Sequence, residues 1–519
     1  MNLEYKYNNF YEILENNTKE KRNKTVIFTE DTKITNAQLQ DSVDKFARFL
    51  ELSDIKPKDK VAMVLSNSQY FIIALFAITK LGAIAVPINN FLKKDELEYI
   101  ISNCEAKLLV ASEAFESELV DIRANSSVNR TIWTNKKDGL DENNFCFEEV
   151  LSSTNVHENI SYTPTLDDTA LIVYTSGTTG NPKGAMLSFR NILSNSISGT
   201  MQLGLKTKDR FIVYLPMFHS FTLSIMVILP FFNNSSVVIV KSIFPFSNVL
   251  KQVLLKRVTI FLGAPQIYNA LNKAKIPWYF MWFNKIRGFV SGSAPMSEQV
   301  MTEFKNKFKG ALFLEGYGLS ECSPAVCINP LDKQKVLSVG VPLPSYEVKI
   351  VDEELVEVAN DEVGELIVKG DCVMQGYYNN PTATDDTIIN GWLKTGDFAK
   401  KDEDGFIYIV DRKKDLIIAK GINVYPREIE ELIVKLDGID SVAVVGIQDE
   451  QKDEKIVAFI QLDKDIKEVP SEQSIKIYLK EHLANFKMPK KIYFIDELPK
   501  NATNKVLKRK LKEDIDKYI

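Results

Sequence analysis

Short apolar runs rich in β-branched residues alternate with segments of helical period over most of the first 400 residues. Lys60–Leu65, Ala106–Ala111, Ala170–Tyr174, Arg210–Leu215, Ser236–Val240 and Thr259–Leu262 read as strands, each followed by a helical stretch or a turn. Parallel neighbours need long crossovers, usually helices, so this alternation predicts an α/β fold of mainly parallel sheets packed with helices. Thr35 and Gln38 form a capping box, in which each side chain satisfies a free backbone N–H at the start of a helix over Ala37–Leu50. The most apolar run, Tyr70–Ile88, contains Lys80, Gly82 and Pro87. A bilayer span needs about 20 apolar residues without a central charge, so a buried helix passing into a strand fits better.

A chain of 519 residues is too long for one apolar core, so at least two domains are expected. After about Val341 the texture changes. Glu347–Val351, Gly364–Lys369 and Gly405–Ile409 read as strands separated by turn residues, a β-rich subdomain. A charged run, Asp411–Asp415 (DRKKD), interrupts the pattern. Beyond it lies a small α+β tail: helix Pro426–Lys435, strands Ser441–Gly446 and Lys455–Leu462, helix Ser471–Leu483 and strand Lys491–Ile495. The boundary therefore falls within Asp411–Asp415, giving a large N-terminal domain, 1–411, and a small C-terminal domain, 412–519.

The formal net charge of −5 argues against general affinity for nucleic acid or an anionic membrane, but not against small anions, which need only local positive charge. Five scattered cysteines form no CxxC pair, so reduced buried thiols are expected rather than a disulfide framework or a zinc site. The N-terminus has no apolar signal core, and a cytoplasmic location is expected.

Immediately after the strand Ala170–Tyr174 comes Thr175–Gly184 (TSGTTGNPKG), with four hydroxyls, three glycines and Lys183. Glycines let backbone N–H groups approach an anion, hydroxyls donate further bonds and a lysine adds a point charge. Surface loops use the same residue types, but this one follows a buried strand and holds a base without an acid. It is not a Walker A loop, because Pro182 precedes the lysine. Nor is Gly316–Glu321 (GYGLSE) a dinucleotide fingerprint, because glutamate takes the third glycine's place.

The segment Tyr174–Leu187 (YTSGTTGNPKGAML) resembles the signature loop of the adenylate-forming superfamily of acyl-CoA synthetases, luciferases and adenylation domains. Four further segments match in order: Phe313–Pro324 (FLEGYGLSECSP), Gly391–Asp397 (GWLKTGD), Asp411–Glu430 (DRKKDLIIAKGINVYPREIE) and Leu498–Lys505 (LPKNATNK). The resemblance implies an enzyme that uses ATP, Mg2+ and CoA to convert a carboxylic acid to acyl-AMP and then to a thioester. It implies that Thr175, Ser176, Gly177, Thr178, Thr179, Gly180 and Lys183 grip the triphosphate, and that Glu321 with Thr175 positions magnesium. Gly292, Ser293, Ala294 and Pro295 would form the adenine turn, and Tyr317, flanked by Gly316 and Gly318, would stack on adenine. Ser320, where threonine is more usual, would contact the α-phosphate, while Asp397 and Arg412 would hold the ribose.

By the same resemblance Lys505 reaches the acyl carboxylate and α-phosphate, although Asn504 stands where the family has glycine. Lys414 takes the hinge position, and Lys420 and Gly421 line the pantetheine tunnel after the small domain swings. Lys487, Lys490 and Lys491 are candidate partners for the CoA phosphates.

His219, in Leu215–Phe221 (LPMFHSF), matches a residue bordering the acyl pocket, and the apolar run Leu223–Phe232 follows. Amino-acid adenylation domains read FDxS where this chain reads FTLS, so no carboxylate awaits a substrate ammonium. A fatty acid fits an apolar tunnel, as in bacterial medium- or long-chain acyl-CoA ligases. An aryl acid–CoA ligase, an acyl-AMP ligase loading a carrier protein and a non-catalytic nucleotide-binding protein are the alternatives. A Ser/His hydrolase lacks its GxSxG elbow. Expected partners are the acid, ATP and CoA, with peripheral membrane contact to collect substrate and a homodimer, but no nucleic acid and no transmembrane segment.

Overall fold

The backbone N–H of Thr35 donates to Gln38 Oε1 at 2.9 Å while that of Gln38 donates back to Thr35 Oγ1, so helix Asn36–Leu52 starts where its capping box lies. The computed structural model describes residues 3–124, 126–136, 138–156, 162–175, 181–243, 245–419, 422–448, 454–463, 466, 469–500 and 506–517.

Two large sheets carry most of the chain. The eight-stranded sheet has a parallel centre of Asn144–Cys146, Arg130–Thr134, Ala106–Ser112, Lys60–Val64, Ile84–Pro87 and Thr169–Thr175, in that spatial order. Lys183–Ser188 and Gly376–Tyr377 extend it antiparallel. The nine-stranded sheet is parallel through Thr25–Phe28, Ser236–Ile239, Arg210–Val213, Ile260–Gly263, Gly288–Ser291 and Leu312–Gly318. Antiparallel strands Lys33–Thr35 on one side and Ala325–Ile328 with Val341–Pro342 on the other complete it. The apolar run becomes helix Gln69–Lys80 and strand Ile84–Pro87, with Phe71 to Thr79 all buried. Lys80 leaves the core to meet Asp44 at 2.6 Å. Among the described residues no helix is long and apolar enough to cross a membrane, and all five cysteines are buried and free.

One connection departs from the strand–helix pattern. Strand Thr169–Thr175 turns back as the antiparallel Lys183–Ser188, with Thr175 opposite Lys183. Residues 176–182 are too few to cross to a parallel neighbour, which takes a dozen or more, so a hairpin is the available geometry.

The β-rich subdomain is an antiparallel sheet of Tyr346–Val351, Gly364–Gly370, Trp392–Lys401, Ile388–Ile389 and Ile407–Arg412. Its last strand begins at Ile407 rather than Gly405. Gly405 has φ +82 within a turn in which Asp402 Oδ1 accepts the N–H groups of Asp404 and Phe406. The main apolar cluster reaches Ile407, and a separate one begins at Ile417. The tail pairs Ile439–Gln448 antiparallel with Glu454–Leu462, itself parallel to Lys491–Ile495, and places helices Pro426–Ile433 and Glu472–His482 over them.

Asp209, buried at the head of the interior strand Arg210–Val213, accepts from Arg287 Nε at 2.9 Å and Nη2 at 2.7 Å, from Thr259 Oγ1 at 2.9 Å and from the Lys206 N–H at 2.7 Å. Removing one partner of such a buried pair strands the other charge. Asp209→Ala should cost about 3–5 kcal/mol of unfolding free energy in urea, and Asp209→Asn clearly less.

Candidate active site

The hairpin Thr169–Thr175/Lys183–Ser188 holds the phosphate-loop ends against the other large sheet. Thr175 Oγ1 lies 3.5 Å from Glu321 Oε1 and 3.4 Å from the Lys183 carbonyl. Tyr377 donates its hydroxyl to the same Glu321 oxygen at 3.0 Å, and Lys183 Nζ sits 5.2 Å from the centre of the Tyr377 ring. Burial and the neighbouring Glu321 push the Tyr377 phenol up, which keeps it a donor. Ser176, Gly177, Thr178, Thr179 and Gly180 lie outside the described residues, as do Lys420, Gly421 and Lys505.

Glu321 is carried by the single turn Ser320–Cys322 that follows strand Leu312–Gly318. A Cβ on Gly318 would stand 1.9 Å from the Pro324 carbonyl oxygen, so only glycine lets the chain fold back there. Tyr317, two residues after Glu315 in the strand, donates its hydroxyl to Asp397 Oδ2 at 2.5 Å. Asp397 is buried, sits opposite Arg412 in the antiparallel register and has Arg412 Nε 3.6 Å from its Oδ1. The aromatic face expected to stack on adenine and the carboxylate expected to take the ribose hydroxyls are thus one hydrogen-bonded unit.

Ser320 Oγ lies 2.8 Å from Ser220 Oγ, which brings the Glu321 turn to the segment bearing His219. A Cβ on Gly292 would meet the Phe221 ring at 3.5 Å and the Gly316 carbonyl at 3.6 Å. Ser293 follows with φ +70, and Ala294 and Pro295 complete that turn. Thr175, Lys183, Glu321, Tyr317, Ser320, Asp397, Arg412, His219 and Gly292 therefore converge from five distant stretches of sequence. Lys414 lies in the turn Lys413–Asp415, where burial and then the Arg412 charge lower its pKa from the ordinary lysine value.

Three participants escape the motifs. Tyr377 belongs to a two-residue strand with no pattern to read. The apolar run after His219 forms a wholly buried π-helix, Thr222–Ile228, continued by α-helix Leu229–Phe232. Such wide turns recur at functional sites, but they share the composition of an ordinary buried helix. Glu315 had a signal: it is an acid inside an otherwise apolar strand, where charged residues are rare unless paired. Its Oε1 accepts the Met296 N–H at 3.2 Å, just past the adenine turn, and its buried Oε2 has no partner. Burial raises its pKa from 4.5 to about 7.

Glu321 and Thr175 offer one carboxylate and one hydroxyl, hard oxygen donors of the type magnesium takes when phosphates supply the rest of its shell. Among the described residues there is no cluster of three His, Cys, Asp or Glu that could cage a metal unaided. The donor set fits Mg2+ that arrives on a nucleotide.

A carboxyl whose folded pKa is raised stabilises the fold fully below its unfolded value, and that stability is lost as pH rises through the folded one. For Glu315 the window runs from 4.5 to about 7, a loss on the order of 3 kcal/mol at about 1.4 kcal/mol per unit. Glu315→Gln should therefore melt above wild type at pH 8, with the gap closing toward pH 5. A gap that widens at low pH would contradict the burial argument.

A sequence model of the AMP-binding enzyme family matches residues 14–378, and one of the AMP-binding enzyme C-terminal domain matches 428–505. The long-chain-fatty-acid–CoA ligase of Escherichia coli O6:H1 is 33% identical over 93% of this chain and 90% of its own length. A feruloyl-CoA synthase from Amycolatopsis is 31% identical over 92% and 93%. ATP-bound MatB from Rhodopseudomonas palustris superposes with a TM-score of 0.89 at 30% identity, covering 98% of this chain and 99% of MatB, whereas apo MatB gives 0.79. With the hairpin, the Glu321 turn and Tyr317 inside residues 14–378, the chain belongs to the AMP-binding, adenylate-forming enzymes and is an AMP-forming acid–thiol ligase.

Proposed function

We propose that the protein joins a medium- or long-chain fatty acid to ATP, releasing pyrophosphate, and then passes the acyl group from AMP to the thiol of CoA. The observation that carries this reading is the wall beyond His219. From Thr222 to Phe231 every residue is buried, and none carries a charge. Such a helix puts no charge beside the segment that bears His219, which suits an apolar acid, whereas an α-amino acid would find no counter-charge there. The name of the Escherichia coli relative points the same way. The feruloyl-CoA synthase relative favours an aryl acid as second reading, since aromatic rings suit similar walls.

Adenylation brings two anions together, so the protein must offset charge and align an in-line attack on the α-phosphorus. Lys183 supplies a cation at the loop's end, and residues 176–180 are assigned the hydroxyl and backbone donors. Mg2+ held by Glu321 and Thr175 would neutralise phosphate charge. Tyr317 and the Gly292–Pro295 turn orient adenine, and Asp397 with Arg412 fixes the ribose.

Residues 1–411 and 412–519 are assigned as two bodies, with Lys414 as the hinge. Lys500 and Val506 form a bridge that brackets residues 501–505, and Lys508 Nζ reaches Glu430 at 2.7 Å beside Asp411. Asp411 is paired with Phe398, next to Asp397. This supports Lys505 as the residue that meets the acyl carboxylate and α-phosphate. The higher TM-score against ATP-bound than apo MatB supports the small domain's being set for adenylation. Thiolysis would then need a swing that brings Lys420 and Gly421 to a pantetheine tunnel.

Purified protein with fatty acid, ATP, Mg2+ and CoA should yield AMP, pyrophosphate and acyl-CoA; ADP and phosphate would sink the mechanism. In a panel from octanoate to stearate, with ferulate and benzoate, the fatty acids should lead in kcat/KM by roughly tenfold or more, a gap of about 1.4 kcal/mol in transition-state binding. Lys505→Ala should lower adenylate formation by about 10²-fold or more while largely sparing thioester formation from supplied acyl-AMP. Equal losses in both half-reactions would remove Lys505 from its assigned role.

A further inference from the structure

We propose that the short helix Trp278–Phe283 (WYFMWF) is a docking element that seats the enzyme on the surface of an anionic lipid bilayer. The helix turns only Phe280 fully inward, while Met281 packs partly against the main core. Its other four rings face out: Trp278 is 71% exposed, Tyr279 48%, Trp282 79% and Phe283 62%. Residues four apart share a helix face, so Trp278 with Trp282 and Tyr279 with Phe283 form one contiguous aromatic surface. The ring centres of Trp278 and Tyr279 lie 6.1 Å apart. Exposed Leu255, at the end of helix Phe246–Leu255, adds a further large apolar side chain on an element that contacts this helix. Single exposed apolar residues are ordinary, but a contiguous patch of this kind marks a surface made for a partner.

The aromatic surface is also rigid. Pro277 caps the helix start, and Asn284 Nδ2 donates to the carbonyls of Phe280 at 2.9 Å and Met281 at 3.2 Å. After residues 284–287 the strand Gly288–Ser291 runs about 13 Å to Gly292, which links the patch to that turn.

Charge decides the partner. Residues 210–297 contain nine lysines and arginines and no aspartate or glutamate, in a chain whose 69 acids outnumber its 64 bases. Arg287 is paired with Asp209, and Lys273 with Asp440 and Asp463. Lys251, Arg257, Lys275 and Lys285 are exposed and in no ion pair among the described residues. Lys275 and Lys285 flank the aromatic helix on either side. Tryptophan and tyrosine sit favourably at the headgroup level of a bilayer, and lysines beside them meet anionic lipid phosphates. Lysines flanking an aromatic face suit an anionic bilayer better than a protein partner of ordinary mixed-charge surface. The proposal goes beyond the choice of acid and does not depend on it.

The test is sedimentation of the full-length protein with phosphatidylglycerol and with phosphatidylcholine vesicles, without fatty acid. Tryptophan emission is followed in parallel, since only Trp278 and Trp282 of the four tryptophans are exposed. Wild type should bind the anionic vesicles with a blue shift, bind the zwitterionic ones weakly and release as salt rises. Trp278→Ser/Trp282→Ser should lower the partition coefficient by roughly tenfold or more. Lys275→Glu/Lys285→Glu should abolish the preference for phosphatidylglycerol. Both variants should keep wild-type turnover of octanoate in solution, which reports an intact fold. The proposal is overturned if wild type ignores vesicles, if the variants bind as well as wild type, or if ultracentrifugation shows that the tryptophans instead hold two copies together. The acid panel, run without vesicles, fails or succeeds separately.

Discussion

Glu321 is the point at which the two large sheets of the N-terminal domain meet, and the site is organised around it. Its carboxylate takes Tyr377 from the edge of the eight-stranded sheet and approaches Thr175 from the hairpin of the same sheet, while its own turn extends the nine-stranded one. Its carbonyl accepts the Met374 N–H at 2.8 Å, so backbone and side chain both cross the junction. A charge in such a place must be hydrogen-bonded to be tolerated. That requirement fixes the distance between the Thr175–Lys183 hairpin end, proposed to grip phosphates, and the strand that carries Tyr317. Neither sheet alone holds both.

The rest of the nucleotide surface is arranged by a second carboxylate under opposite conditions. Asp397 is held by Tyr317 and Arg412 and is set to accept from hydroxyl groups. Glu315 lies one strand position from Gly316 with an unpaired oxygen, and burial favours its neutral form. Carboxyls in such different surroundings are how a fold obtains acceptors and a donor from one residue type. Between the β-rich subdomain with its neighbours and the tail, contacts include Lys273 with Asp440 and Asp463, Lys413 with Glu365, the Phe398 and Tyr425 rings at 6.0 Å, and Arg427 with the Ile409 carbonyl. Surface ion pairs of this kind are each worth about 1 kcal/mol or less, so they can hold an orientation without locking it.

Much of this was legible in the chain because it rests on local pattern. The strands Lys60–Val64, Ala106–Ser112, Thr169–Thr175, Arg210–Val213, Ser236–Ile239 and Ile260–Gly263, the Thr35–Gln38 box and the buried helix before Ile84 follow from hydrophobic period and capping chemistry, which act over a few residues, whereas Arg130–Thr134, Asn144–Cys146 and Lys183–Ser188 gave no such signal. The phosphate loop was legible as an anion site from glycine, hydroxyl and lysine content, and the other motifs by resemblance. What was not legible depends on long-range partners. The brevity of residues 176–182 forces a hairpin only once Lys183–Ser188 pairs as a strand, and that pairing is a matter of its partner. Tyr377 matters only because Glu321, 56 residues away in sequence, stands beside it. The π-helix differs from an α-helix by one extra residue per turn, which apolar composition does not encode. Lys505, Lys420, Gly421 and residues 176–180 rest on resemblance alone, being outside the described residues.

Whole-chain averages and local surfaces answer different questions. A net charge of −5 excludes a protein that clings to any polyanion, yet it hides residues 210–297, from which acids are absent altogether. Those residues include His219, the buried acyl-side helix, the adenine turn and the exposed aromatic helix. The bases there are distinct from Lys183, the cation proposed to serve the phosphate loop. Lys275 and Lys285 stand outside the core, on either side of rings that water disfavours. An electrostatic field acts over about a Debye length, some 8 Å at physiological salt, so a local block of positive charge governs what approaches that face whatever the distant residues sum to. Selection for an acidic, soluble surface elsewhere and for a basic, aromatic face here need not conflict. They produce one chain whose average describes neither.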